Sequence, residues 1–170
     1  AAADLWVSKN DDDTAGQISL IAAQAYMLSG FLRQLARAII PRERPFQAEC
    51  AADPSYDDDC NKDASRESFF SGHAAYAFTG AGLVCANHQN LKLHGGMSPC
   101  YVALGLATFV SLSRVMADKH FSSDVLTGAT IGLLSGYFVP RWINFDMSGN
   151  STVTPAFSSQ GFGLNYALAF

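Results

Sequence analysis

Apolar residues recur at three- and four-residue intervals from Ala15 to Ile40, in AGQISLIAAQAYMLSGFLRQLARAII, and the pattern stops at Pro41. This spacing predicts one long amphipathic helix. Asp11, Asp12 and Asp13 precede it, where carboxylates favour the positive helix end, and Thr14 with Gln17 reads as a capping box. A second helix is expected from about Ser71 through GHAAYAFTGAGLVCANH. Ser98 and Pro99 read as an N-cap and a first helical residue, opening a third helix that runs to about Ala117. Ser122, Ser123 and Asp124 are candidate caps of a fourth, which is expected to end before Pro140. Residues 41–70 carry Pro41, Pro45 and Pro54 among polar runs and read as a loop. In the tail, Phe162, Leu164, Tyr166, Leu168 and Phe170 alternate with smaller or polar residues, which is strand periodicity. With STVTPAF before it, this predicts a short C-terminal β-hairpin or strand over an otherwise all-α bundle. The terminal aromatic also suits the last strand of an outer-membrane barrel, but one strand closes no barrel. The expected organisation is a single domain over residues 1–170, with a core at 15–140 and an extended tail at 150–170.

Composition sharpens this picture. Of 170 residues 49% are hydrophobic and 15% charged, against about a quarter charged in an ordinary soluble domain. That points to membrane proximity or heavy burial. The apolar runs Tyr101–Leu112 and Val125–Val139 are shorter than the roughly 18 to 20 residues of a spanning helix. A window over 123–143 would include Pro140 and Arg141. These segments read as core helices, with membrane contact left open.

The net charge is −4, and twelve of the fifteen acidic residues lie at or before Glu67. No basic stripe or tail is present, which argues against nucleic acid as a partner. The runs NDDDT and SYDDDCNKD lack the spaced ligands, glycine and closing glutamate of a calcium loop and read as solvated loops. Cys50 and Cys60 bracket one loop and Cys85 and Cys100 another. Among three possible pairings, Cys50–Cys60 and Cys85–Cys100 are the expected disulfides, which implies an oxidising compartment. Four reduced core thiols are the alternative. The chain opens on AAADLW, with no initiator Met and no basic flank, so a processed protein or a fragment is expected.

Polar residues with chemical potential gather where helices meet. Arg37 lies in the last turn of the first helix and Arg44 just beyond it; Ser71, Gly72 and His73 open the second. Arg114 closes the third, and His120 precedes the fourth by a turn, with Asp124 four residues later. Each has a bland reading alone: Arg37 as a dipole partner, Arg44 as a surface residue, Asp124 as an N-cap, His73 as a capping or core residue. His88 and His94 read as loop histidines, since a metal site would need further ligands nearby. Around one anion the same residues acquire roles together. Ser-Gly at a helix start offers free N–H groups to an anion, and guanidinium forks match phosphate oxygens. Two histidines supply a nucleophile and a general acid, and an aspartate one helical turn away can orient a ring.

The order and spacing carry a resemblance. Arg37-x6-Arg44-Pro45, Ser71-Gly72-His73 and Ser113-Arg114-x5-His120-x3-Asp124 resemble the three motifs K-x6-R-P, P-S-G-H and S-R-x5-H-x3-D of the type-2 phosphatidic acid phosphatase and vanadium haloperoxidase superfamily. Two positions depart: Arg37 stands for the lysine and Phe70 for the proline. The resemblance implies the superfamily's helical bundle, with more helices than the four long ones read here, so that N-terminal helices are missing or reduced. It implies a metal-independent phosphomonoesterase without cofactor. His120 would form a phosphohistidine, Asp124 would orient it, and His73 would protonate the leaving alkoxide and then activate water. Arg37, Arg44, Arg114, Ser71 and the Gly72 N–H would hold the phosphate oxygens. The implied substrate is a lipid phosphate or a small phosphate ester. The implied setting is extracytoplasmic, periplasmic or secreted, with membrane association, membrane lipid as a partner and a larger assembly left open. A vanadium-dependent haloperoxidase and a non-catalytic binding module retaining the fold are the alternatives.

Overall fold

The computed structural model describes residues 12–60, 67–144, 151–158 and 161–168. Helix α1 (Asp12–Ile39) is 28 residues long. Its last turn closes with Ile40 N–H on the Ala36 carbonyl at 2.8 Å, immediately before Pro41. Asp12 is already helical, so Thr14 lies within the helix and not at its cap. The segment read as a loop contains a short helix, α2 (Gln47–Ala52). Good helix formers fill the interval between Pro45 and Pro54. Phe46 anchors it: the side chain is 1% exposed and its N–H donates to the Asp118 carbonyl at 3.1 Å.

Helix α3 (Gly72–Leu91) is capped by Ser71, whose hydroxyl accepts from Ala74 N–H, and ends at Lys92 in the left-handed region. Helix α4 (Ser98–Met116) carries Pro99 in its first turn, with Met97 rather than Ser98 at the cap. Helix α5 (Ser122–Leu133) runs into a π-helical turn (Leu134–Phe138) and then α6 (Val139–Asn144). Pro140 therefore does not stop this helix, as its sequence suggested. The wider turn before it relaxes the hydrogen-bond register, where the missing donor and bulky ring of proline are easily absorbed. Both expected disulfides are present, Cys50–Cys60 and Cys85–Cys100, the second joining α3 to α4.

The centre of the bundle is α3, whose Ala74 and Ala75 are fully buried. Gly128, Gly132 and Gly136 recur every fourth residue along α5 and the π turn, and face the carbonyl oxygens of Ser71, Ala75 and Thr79 in turn. A Cβ at any of them would overlap those oxygens, so the glycines let two backbones touch. The contact holds the starts of α3 and α5 together, and Ser71 N–H donates to the Asp124 carbonyl at 3.1 Å. On α1, Ile21 and Ala25 pack with Leu83 of α3.

The outer faces are unusual. Met27, Phe31 and Ile39 of α1 and Tyr101, Leu106, Phe109 and Met116 of α4 are all more than 60% exposed. Among the described residues, Ala15–Ile39 and Ser98–Met116 are long and apolar enough to cross a membrane, with 22% and 17% of their apolar windows buried. The run Tyr101–Leu112, read from the sequence as a core helix, thus lies in a helix that is mostly exposed. Counting uninterrupted apolar residues understated α4, because its polar side chains are masked. Thr108 Oγ1 donates to the Leu104 carbonyl at 2.8 Å, as Thr127 and Thr130 of α5 do to carbonyls four residues back. Beyond residue 150, Ser151–Ser158 and Gly161–Leu168 are extended and paired antiparallel, Val153 opposite Tyr166. The all-α class is that of the helical bundle.

Candidate active site

The site forms where the ends of α1 and α4 meet the starts of α3 and α5. A parallel bridge between Arg42 and Glu67, with Ser68 N–H donating to the Arg42 carbonyl at 2.9 Å, lays residues 67–71 beside the chain leaving α1. Asp118 adopts a left-handed conformation after α4. The chain then turns back, with Lys119 and His120 N–H groups on the Arg114 carbonyl at 3.1 and 3.3 Å.

His120 is 4% exposed, and its Nδ1 lies 2.8 Å from the Ser68 carbonyl oxygen. A carbonyl only accepts, so Nδ1 carries the proton and Nε2 keeps its lone pair. Burial pushes the ring's pKa down to about 4, with Arg44 and Arg114 adding to the shift and the Ser68 carbonyl and Asp124 opposing it. His120 is thus a neutral imidazole beside two cations. His73 is exposed at the start of α3. Its pKa is also lowered, first by partial desolvation and then by Arg114, Arg33 and Arg44.

Asp124 is fully buried. Its Oδ1 accepts from Arg42 Nη1 at 2.6 Å; its Oδ2 accepts from Ser68 Oγ at 2.5 Å and from Phe121 N–H at 3.3 Å. The direct hydrogen bond to the His120 ring anticipated from the four-residue spacing is replaced by a relay: Asp124 holds Ser68, and Ser68 holds His120. Arg42 stacks on the Phe121 ring at 4.2 Å. Neither Arg42 nor Ser68 stood out in the sequence. Arg42 is one of several arginines near Pro41, and Ser68 has no local signature at all.

The other expected residues divide. Arg44 and Arg114 each bury an Nε that has no hydrogen-bond partner. Ser71 is fully buried at its cap position, and Gly72 is buried at the first residue of α3. Arg37 instead forms an ion pair with Glu67 and donates to Gln34 Oε1 at 3.1 Å. That partner holds the Glu67 carboxyl below the usual carboxylate range, with Arg33 and Arg44 contributing. Arg33, unremarked in the sequence, lies against Gly72 and lines a cavity of about 180 Å³ with Gly72, His73 and Tyr76. Its only signal was its place one helical turn before Arg37. Phe70 is 3% exposed and packs edge-on against Phe69.

The loop closed by Cys50–Cys60 braces the site from outside. Lys119, next to His120, donates to Asp57 at 2.6 Å and Asp59 at 2.9 Å, and sits over the Phe46 ring at 4.5 Å. Tyr56 donates to Asp118 at 3.1 Å. Outside the site, His88 is not a loop residue: it is 3% exposed on α3. His94 is exposed in the turn before α4.

Comparison with known proteins gives the family. The family model described as the PAP2 superfamily matches residues 18–148. A curated relative, Lipid A 1-phosphatase of Porphyromonas gingivalis, is 38% identical over 87 residues, which cover 48% of this chain and 18% of the relative. No solved structure matches the chain with significance.

Proposed function

The chain belongs to the PAP2 superfamily, and on that premise we propose that it is a metal-independent phosphatase acting on a phosphate monoester carried by a lipid. The observation that carries this reading is the state of His120: buried, neutral and protonated at Nδ1 by its contact with Ser68, beside Arg44 and Arg114. Nε2 of His120 attacks phosphorus in line as the bond to the alkoxide breaks, and His73 donates the proton to the leaving oxygen. His73 then takes a proton from water. The resulting hydroxide attacks phosphorus, the P–N bond breaks, and phosphate leaves neutral His120 behind. Arg44, Arg114, the Ser71 hydroxyl and the Gly72 N–H hold the oxygens on which charge develops, with Arg37 at the edge of this cradle. Asp124 orients His120 through Ser68.

Three observations support the wider setting. The relative named above is a lipid phosphatase by its printed name. The outer faces of α1 and α4 are apolar enough to meet acyl chains. Two disulfides suit an extracytoplasmic location. The test is phosphate release from p-nitrophenyl phosphate and from phosphatidic acid in mixed micelles, with EDTA present, for wild type and His120→Ala. Hydrolysis in EDTA that disappears with His120→Ala is expected; hydrolysis that survives the substitution removes His120 from the chemistry. Halide oxidation appearing only with added vanadate would favour a haloperoxidase instead.

A further inference from the structure

The cradle contains a cation that none of the three motifs supplies. Arg33 lies in α1, and its Nε is buried without a hydrogen-bond partner, like those of Arg44 and Arg114. Its guanidinium covers the first residue of α3 so closely that a Cβ on Gly72 would overlap Nε and approach Cδ to 2.7 Å and Cζ to 3.0 Å. The same group lines the cavity onto which His73 and Tyr76 also open. Arg37 has its guanidinium committed to Glu67 and Gln34.

Resting on the phosphatase reading above, we propose that Arg33 is the guanidinium that binds the phosphoryl group beside the Gly72 N–H, while Arg37 anchors Glu67 at the rim. A buried donor without a partner is tolerated where a ligand supplies the acceptor. Arg33, Arg44 and Arg114 all act electrostatically on His73, and Arg37 and Arg44 on Arg33, a gathering of like charges that an anion relieves. The first N–H groups of a helix have no intrahelical acceptor, so an oxygen held by Arg33 over Gly72 meets them as well. On this view the glycine of Ser-Gly-His is required less for backbone freedom than to leave room for a guanidinium. Arg33 and His73 share one wall, so Arg33 also sets how the phosphoryl group presents its leaving oxygen to His73.

The test uses the full chain and inorganic phosphate, read both as a competitive inhibitor of hydrolysis and by direct calorimetric binding. Arg33→Ala is expected to weaken phosphate binding by about tenfold to a hundredfold, with an unchanged circular dichroism spectrum. Arg33→Lys should recover part of the loss, because charge is kept and the fork is not. Added methylguanidine should restore binding to Arg33→Ala, which a purely structural role would not allow. Gly72→Ala should weaken phosphate as much as Arg33→Ala, yet add little in the Arg33→Ala background, where the obstructing guanidinium is gone. Should Arg33→Ala fail to fold, Arg33→Lys and Gly72→Ala carry the same comparison. Phosphate affinity within twofold of wild type in these variants overturns the role of Arg33 and leaves the phosphatase reading standing. A wild type that neither hydrolyses esters nor binds phosphate overturns both.

Discussion

The backbone carbonyl of Ser68 accepts the Nδ1 proton of His120 at 2.8 Å, while the hydroxyl of the same serine donates to Asp124. A mainchain atom therefore fixes the tautomer of the proposed nucleophile, and a buried carboxylate fixes that mainchain atom. Ser68→Ala leaves the carbonyl but frees it from Asp124. The expected cost is about 2 kcal/mol of stability, the scale of a hydrogen bond to a charged group, with a clear loss of kcat and little change in KM. Asp124→Asn should lose more, because Arg42 and Phe121 are released too. A double-mutant cycle on kcat is expected to be strongly non-additive, since both substitutions break one relay. Additive losses would mean that Asp124 acts on His120 by another route.

The two histidines predict an acid optimum. His120 must be neutral to attack, and it takes up a proton only below about 4. His73 must be protonated to serve the leaving group, and its pKa lies below the ordinary 6.5. In kcat/KM, activity should fall on the acid side near 4 and on the alkaline side before 6.5, with the maximum between. Arg114→Gln removes the largest charge holding His73 down, so the residual activity should show its alkaline limb shifted upward. A maximum at or above about pH 8 would contradict these assignments. Stability follows the same group. The folded pKa of His120 lies below its unfolded value, so the unfolded chain binds the extra proton between the two. Stability is then full above about 6.5 and lost as pH falls towards 4.

The Cys50–Cys60 loop is expected to matter for turnover although it contributes no proposed catalytic group. Its Asp57 and Asp59 hold Lys119, the neighbour of His120. Replacing both cysteines with serine opens a loop of sequence separation 10, with an expected loss of about 2 to 3 kcal/mol on chain-entropy grounds. Lys119→Met should lower kcat with the disulfide intact. In the Cys50→Ser/Cys60→Ser protein the same substitution should have a much smaller effect. Equal effects in both backgrounds would separate the loop from the site.

Two glycines should respond with opposite signs. Gly132→Ala places a methyl against the Ala75 carbonyl and within 2.9 Å of the Thr79 nitrogen. Neither backbone atom can yield without moving α3, so a loss of about 1 to 3 kcal/mol is expected. A methyl on Gly105 of α4 would meet nothing within 4 Å, and Gly105→Ala should stabilise by about 0.5 to 1 kcal/mol through backbone entropy. Thermal unfolding of the pair checks both signs in one experiment.

Much of the bundle was legible in the sequence because its boundaries are local. Pro41 ends α1, Ser71 caps α3, Pro99 starts α4, and each cysteine pair spans one short connection. The exposure of α1 and α4 was not legible. Periodicity shows that a helix has an apolar face but not whether anything in the chain covers it. The exposed α4 residues Tyr101, Val102, Leu106 and Phe109 look no different, letter by letter, from core residues.

The sequence by itself determined which side chains stand at the helix junctions, and the ordered motifs singled out His73, Arg44, Arg114, His120 and Asp124 as members of one proposed site. Tertiary structure decided the pairings among them. Arg42 and Ser68 reached Asp124 from 82 and 56 residues away, and Arg33 rather than Arg37 came to lie over Gly72. A spacing of four residues fixes only what can meet along one helix. Which arginine meets which acid depends on where separate segments cross, and the glycine-lined contact of α3 with α5 sets that crossing.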